Sequence, residues 1–413
     1  MSIARNSSPW KNITILIVAC CLTLPTQAKY GGGSGTEEDP YQIWDVNHMQ
    51  AIGADANDWD KCFKLMADID LSAFTGTQFN IIGYWNSSED NAAFNGVFDG
   101  NGNKISNFTY ISTGTSYIGL FGYVFGYNAE IKNLGLIDPS VSAGGVVGSL
   151  VGFIEAGSIS NCYFKGGTVS GNWSVGGLVG WNHDGIITTS YSAGSVSGNY
   201  VVGGLVGENW EGTIANCYAT GRVEGEYIVG GLVGDNYYNN GTISNCFATG
   251  SVVVYIDGGG LVGYNSGTIT NCYTIGSVTG EEVGGFVGFS DGSVTDSFWD
   301  TETSGQNWSD GGRGLQTADM QTTGTFVDAG WDFVSIWDIC EGTNYPKLSW
   351  QIPKGDLLCP DGVNFFDFSF FAGHWAEDNC GASNDCEGTD LNLLGTVEIN
   401  DLRIFVDNWL RDF

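Results

Sequence analysis

The sequence predicts a mainly β fold, a parallel β-helix (β-solenoid), followed by a small α-helical module at the C-terminus. Three observations predict it. A glycine-rich block returns at near-constant spacing, each period holds three short strand-like runs, and the composition shifts near Pro353.

The block is Gly176-Gly177-Leu178-Val179-Gly180, and it returns at 203–207, 230–234, 259–263 and, with Phe286 for Leu, at 284–288. Its last glycines fall at 180, 207, 234, 263 and 288, spacings of 27, 27, 29 and 25 residues; a looser copy spans 144–148. A second run follows each block, as in Thr213-Ile214-Ala215-Asn216-Cys217-Tyr218, with counterparts at 158–163, 242–247 and 268–273. A third short run follows, such as Gly221-Arg222-Val223-Glu224-Gly225. Runs rich in Val, Ile and Tyr between Gly, Asn and Ser read as strands. Three strands per period make one coil, and coils must stack because one alone cannot bury its apolar face. Propeller blades need four strands in longer repeats, so these periods are too short for them. Stacking aligns Leu178, Leu205, Leu232 and Leu261 inside the rod, and six coils give a length of roughly 29 Å. Asn161, Asn216, Asn245 and Asn271 are expected to form an amide ladder at a bend.

The rest of the chain follows from this core. A solenoid end is an open sheet edge that needs cover. Residues 29–115 are expected to supply an N-terminal cap and the first coils, with short helix in 42–52 and 58–66. The repeats occupy 116–305. Residues 306–352 are expected to close the other end through Trp331, Trp337 and Trp350. Residues 353–413 form the last module.

The 413 residues allow two or three domains. The 64 glycines are about twice the average share, without a collagen period. A net charge of −32 repels nucleic acid and anionic membranes, and favours divalent cations. At the N-terminus, Arg5 and Lys11 precede an apolar run from Ile13 to Leu24, too short to span a bilayer, and Ala28 offers a cleavage position. Residues 1–28 therefore read as a signal peptide, and the protein as secreted or at the cell surface. Ile17-Val18-Ala19-Cys20 offers a rival, lipoprotein-type cut that leaves a very short apolar run. No other segment reads as a membrane span. Cleavage after Ala28 leaves nine cysteines, an odd number that argues against a fully paired framework. Cys162, Cys217, Cys246 and Cys272 recur with the repeat and read as small core residues. Near the C-terminus a local disulfide, Cys380–Cys386, is expected.

The GGLVG, NCY and following Gly-Val pattern resembles the GLUG-motif repeat family of secreted bacterial proteins, over most of residues 30–350. Asp39-Pro40-Tyr41-Gln42-Ile43 and the 98–105 segment resemble the region that accompanies those repeats. The resemblance implies a β-helical surface or extracellular protein. Such repeats also occur beside IgA-type metallopeptidases. That activity does not carry over, because no H-E-x-x-H motif is present among the three histidines His48, His183 and His374.

In the last module two segments align at an offset of 34: Asp367 with Asp401, Phe371 with Phe405, Trp375 with Trp409. Each ends in an amphipathic helix by its apolar spacing. Before the second helix lies an EF-type loop, with Asp390 at position 1, Asn392 at 3, Gly395 at 6, Thr396 at 7 through its carbonyl, Glu398 at 9 and Asp401 at 12. Leu394 stands where a fifth-position ligand is expected. The first loop offers Asp361, Asn364 and Asp367, is one residue shorter, and has Asp356 as a substitute ligand. This duplicated pattern resembles a dockerin domain, which implies two Ca2+ sites and a cohesin-type protein partner. Without metal, the module reads as a helix pair held by aromatics and the disulfide.

Stacking also predicts surface columns. Glu208 and Asp235 fall on adjacent coils about 5 Å apart, a separation open to a shared cation or a retaining carboxylate pair. Beside them fall Trp181, His183, Trp210 and Tyr237; another column holds Trp173, Tyr200 and Tyr227. These aromatic columns read as structural stacks or as a strip for a polysaccharide or surface glycan. No nucleophile motif, P-loop or dinucleotide fingerprint is present. The leading reading is a non-catalytic binding, adhesion or scaffold protein with a calcium-dependent docking module. The alternatives are a carbohydrate-active β-helix enzyme, a polysaccharide lyase or hydrolase, with Glu208 and Asp235 as its catalytic candidates, and a structural surface-layer component.

Overall fold

The structure, a computed structural model, describes residues 29–238, 240–382 and 384–409. The signal peptide and lipoprotein box read from residues 1–28 lie outside the described residues. Three sheets build a parallel β-solenoid of about seven turns. The first sheet has ten short strands, from Tyr41–Ile43 to Ser293–Thr295; the third has seven, from Phe121–Phe125 to Val287–Ser290. The second contains the long strands Tyr163–Gly176 and Tyr191–Gly203. Each strand of the repeat region pairs in parallel with its equivalent one coil away, as along Ile187, Ile214, Ile243 and Ile269.

The repeat pattern supplies the core. Leu178, Leu205, Leu232 and Leu261 are fully buried, as are Val179, Val206, Val233 and Val262. The glycine before the leucine turn is a packing requirement. A Cβ on Gly203 would lie 1.9 Å from the Val206 carbonyl oxygen and 2.6 Å from the Gly234 amide nitrogen. Both are backbone atoms of the ladder and have little room to yield. Gly203→Ala is therefore expected to cost at least the ~1–3 kcal/mol of ordinary overpacking. An unchanged thermal midpoint for that variant would contradict this account.

Cys162, Cys217, Cys246 and Cys272 are buried and lie beneath the bend between the first and second sheets. Burial pushes the Cys162 thiol up to about 12, so it behaves as a small apolar residue. The bend before them differs from expectation. Asn161, Asn216, Asn245 and Asn271 all have φ between 51° and 55°, the left-handed region. Asn tolerates that region better than other non-glycine residues, which explains its recurrence there. Asn161 bonds the Asn133 amide at 2.9 Å, but no amide–amide bond joins Asn216, Asn245 and Asn271.

The amide ladder lies two residues beyond each GGLVG block instead. Asn182, Asn209, Asn236 and Asn265 are fully buried. Each donates from Nδ2 to the next Oδ1, at 2.7, 2.8 and 2.8 Å, and Asn265 donates to Ser290 Oγ at 3.0 Å. Each Nδ2 also reaches a carbonyl at the following turn, such as Gly212 O at 3.0 Å from Asn209.

At the N-terminal end, helix Val46–Ala54 is capped by Asp45, whose side chain accepts from the Asn47 and His48 amides. Its Met49 and Ile52 are buried in the end of the core. The helix expected over 58–66 is absent. Cys62–Leu65 is a strand between Tyr41–Ile43 and Val97–Asp99. Phe63 and Leu65 alternate inward with Cys62 and Lys64 outward, the period of a strand.

At the other end, two segments share the task assigned to 306–352. Residues 308–315 cover the last coil: Ser309 Oγ accepts from the Phe286 and Val287 amides, and Arg313–Leu315 adds a strand to Phe298–Asp300. The rest lies along the flank, back over earlier coils. Tyr163, Tyr191, Tyr218, Phe247 and Tyr273 form an outward ladder with interplanar angles of 2–12°. Trp331, Trp337 and Trp350 pack against it, and Trp350 Nε1 donates to Asn216 O at 3.1 Å. Cys340–Cys359 then ties this flank to the C-terminal module.

Candidate functional site

Two regions gather the residues singled out in the sequence. The first is the outer face of the third sheet. Its strands bring Trp181, Glu208, Asp235 and Tyr264 into register on successive coils. The column is an aromatic ladder interrupted by two carboxylates. Phe153 stacks on Trp181 with centroids 4.7 Å apart, and Tyr264 stacks on Phe289 at 5.4 Å. His183, Trp210 and Tyr237 run alongside; the Trp210 ring lies 5.9 Å from His183 and 5.1 Å from Tyr237.

The acidic pair is largely desolvated. Burial raises the Glu208 carboxyl, against a 3.0 Å hydrogen bond from Ser174 Oγ and the nearby His183. Burial, and then the charges of Glu208 and Asp291, push Asp235 up to about 8. Asp235 Oδ1 is sealed from solvent and has no protein partner. Both residues are half-buried, and the sealed Oδ1 is one of the four carboxylate oxygens of the pair.

In the other aromatic column, Trp173, Tyr200 and Tyr227 stack at 4.3 and 5.0 Å, with interplanar angles of 11° and 8°. Ring faces inside this ladder are occupied by neighbouring rings. A flat platform for sugars is left only at its end.

The second region is the C-terminal module. Helices Phe365–Gly373 and Ile399–Trp409 pack through Phe371 on Phe405 at 5.3 Å and Phe365 on Trp409 at 4.8 Å. A Cys380–Cys386 disulfide closes the intervening segment. Asp367 and Asp401, at position 12 of the two loops, are buried and hold their loops by accepting backbone N–H bonds. Asp367 accepts from Leu357, Leu358 and Asn364; Asp401 accepts from Asn392 and Glu398.

The two loops offer different donor sets. In the first, carboxylate oxygens of Asp356, Asp361 and Asp367 lie within 4.8 Å of one another. Burial, then Asp367 and Asp361, push Asp356 up to about 6, and its Oδ1 has no protein partner. Asn364 Nδ2 donates to Asp361. A set of three converging carboxylates fits a hard cation. In the second loop, Asp390 accepts from the Leu394 and Gly395 amides, and Asn392 Oδ1 also accepts from Leu394 N. Glu398 bonds Asn400, and Thr396 forms a bridge with Asp378. Asp356 was legible in the sequence only as a substitute ligand, because the first loop is shorter than the second.

The family described as the GLUG motif matches four consecutive segments, residues 139–170, 171–197, 198–224 and 225–253. The chain is 35% identical over 167 residues to halomucin of Haloquadratum walsbyi, a match covering 39% of this chain and 2% of that protein. It is 35% identical over 160 residues to a Gly-rich membrane protein of Evansella cellulosilytica, covering 34% of this chain and 18% of that one. The chain thus spans only a small part of the length of either relative. A crystal structure from Bacteroides ovatus, described as a candidate immunoglobulin A1 protease, superposes with a TM-score of 0.52 at 24% identity, over 78% of this chain and 96% of that one. This likeness concerns the fold. No helix among the described residues is long and apolar enough to cross a membrane.

Proposed function

We propose that this chain is a secreted or cell-surface binding and display rod, non-catalytic, with a calcium-dependent docking module at its C-terminus. The observation that carries the docking half is the convergence of Asp356, Asp361 and Asp367 at the foot of a helix whose Phe365 and Phe366 are 77% exposed. Ca2+ there would offset two of the three negative charges and brace the loop that leads into the helix bearing those rings. The exposed rings offer an apolar contact for a protein partner of cohesin type. The GLUG repeats and the names of the two relatives, halomucin and a Gly-rich membrane protein, support a place at the cell surface.

Titrating the full-length protein with Ca2+ by calorimetry tests this. Saturable binding is expected, together with a higher unfolding midpoint in calcium than in chelator. Occupancy at about 100 times Kd corresponds to ~2.7 kcal/mol of stabilisation. Asp361→Asn with Asp367→Asn should remove binding at the first loop, and Asp390→Asn should remove it at the second. Absence of heat and of any calcium-dependent shift in midpoint would overturn the docking half.

The second reading, a carbohydrate-active enzyme carried by the same module, rests on the register of Glu208 with Asp235 and the raised carboxyl of Asp235. New reducing ends from a polysaccharide panel, lost in Glu208→Gln, would establish it.

A further inference from the structure

A groove of about 550 Å3 follows the solenoid axis on the second sheet. Five successive coils build it. Ser142, Ser170, Ser197 and Glu224 lie in register along one bank. Asn172 and Asn199 lie along the other, joined by a 2.8 Å amide hydrogen bond.

The concavity has a cause in the chain. Between the two banks stand Gly171, Gly198 and Gly225. A Cβ on Gly171 would fall 2.8 Å from the Val147 side chain and 3.0 Å from that of Val175. Without it, the long strands fold inward at this point and the surface above them becomes a channel. The channel ends where Gly225 gives way to Val254 in the next coil and the strand register shifts.

An aromatic edge borders it. Asn172 and Asn199 directly precede Trp173 and Tyr200, the first two rings of the ladder. The coil before Trp173 carries Gly145 at the equivalent position, since Ser142 pairs with Ser170 and Val147 with Val175. No ring therefore covers the outer face of Trp173, which is 54% exposed. The ladder thus ends in one open indole face at the side of the groove.

We propose that this groove binds an extended, uncharged polysaccharide strand lying along the solenoid axis, with Trp173 as its stacking platform. The proposal deepens the binding-rod reading and rests on it. Hydroxyl and amide side chains both donate and accept, which suits a polyhydroxylated chain. The lining contains no Lys or Arg, and Glu224 and Glu226 close one end, so an anionic polymer is disfavoured. The volume lies within the range of ligand sites. Coils repeat at about 4.8 Å, so equivalent groups recur at a distance close to the rise of one sugar in an extended glycan.

The test is affinity electrophoresis of the full-length protein through gels containing hydroxyethyl cellulose, galactomannan or mixed-linkage β-glucan, with carboxymethyl cellulose as the anionic counterpart. Retardation by at least one neutral polymer is expected, with none from the anionic one. Asn172→Ala with Asn199→Ala, and separately Trp173→Ala, should weaken retardation about ten-fold, equivalent to ~1.4 kcal/mol. Trp44→Ala, an exposed tryptophan of the N-terminal cap, should leave it unchanged. Thermal midpoints close to that of the parent show that each variant is folded. If the parent binds a neutral polymer and the groove variants bind it equally, the groove is wrong while the rod remains a glycan binder. If no neutral polymer retards the parent, glycan binding by the rod fails as well.

Discussion

Asp235→Asn is expected to raise the unfolding midpoint, by an amount that grows with pH. The folded protein holds the Asp235 proton up to about pH 8, whereas an unfolded Asp releases it near pH 3.9. Between those values the folded state binds more protons than the unfolded one, so each rise in pH costs stability. The contribution of this carboxyl is fully present below about pH 4, falls through the interval and is gone above about pH 8. Asn has no proton to lose. Its advantage over Asp should therefore be close to nil near pH 4 and largest above pH 8. With ~1.4 kcal/mol per pKa unit, the full difference is several kcal/mol. Glu208→Gln should give a smaller gain and lower the Asp235 carboxyl, since Glu208 is the foremost charge acting on it. The two gains should not add, because the groups share one environment. Melting curves from pH 4 to pH 9 decide the matter. A midpoint difference between Asp235→Asn and the parent that does not change with pH would refute the account of a raised Asp235 carboxyl.

Asn209→Ala is expected to be among the most damaging single changes in the repeats, and Asn216→Ala a mild one. Asn209 accepts from Asn182 and donates to both Asn236 and Gly212. Truncation leaves the Asn236 Oδ1 and the Gly212 carbonyl without that donor in a fully buried site. Each buried orphan costs ~1–3 kcal/mol, so a loss of about 3–5 kcal/mol is expected. Asn216 makes no such bond through its side chain, and its Oδ1 already lacks a partner. Its change costs only the left-handed backbone preference, of the order of 1–2 kcal/mol. Chemical denaturation of both variants tests this. Equal losses would mean that the buried amide ladder contributes no more than the left-handed bends do.

The solenoid was legible because its information is repeated and local. Each coil restates the same three runs, and each contacts chiefly its neighbours. The leucine column, the parallel register and the Glu208–Asp235 juxtaposition follow from the spacing of the GGLVG block alone. The ladder assignment needed more. Both Asn positions recur at the repeat period, so periodicity cannot tell them apart. Only the fold shows that Asn182, Asn209, Asn236 and Asn265 point into the core, while Asn161, Asn216, Asn245 and Asn271 occupy left-handed bends.

Non-repeating parts depended on long-range packing. Trp350 meets Asn216 across 134 residues of chain, and no local pattern encodes that contact. It forms because Tyr218, Phe247 and Tyr273 present apolar rings on the flank that other apolar surface must cover. Likewise, Asp356 joins Asp361 and Asp367 through the path of a shortened loop, which alignment with the longer second loop obscures. By itself, then, the sequence determined a stacked three-strand coil and a duplicated acidic loop and helix, because both are written as repeats. The tertiary structure decided which amides enter the core, where the tryptophan segment lies, which carboxylates meet, and where a bend in the long strands opens a groove. Those outcomes depend on surfaces that exist only once the coils have stacked.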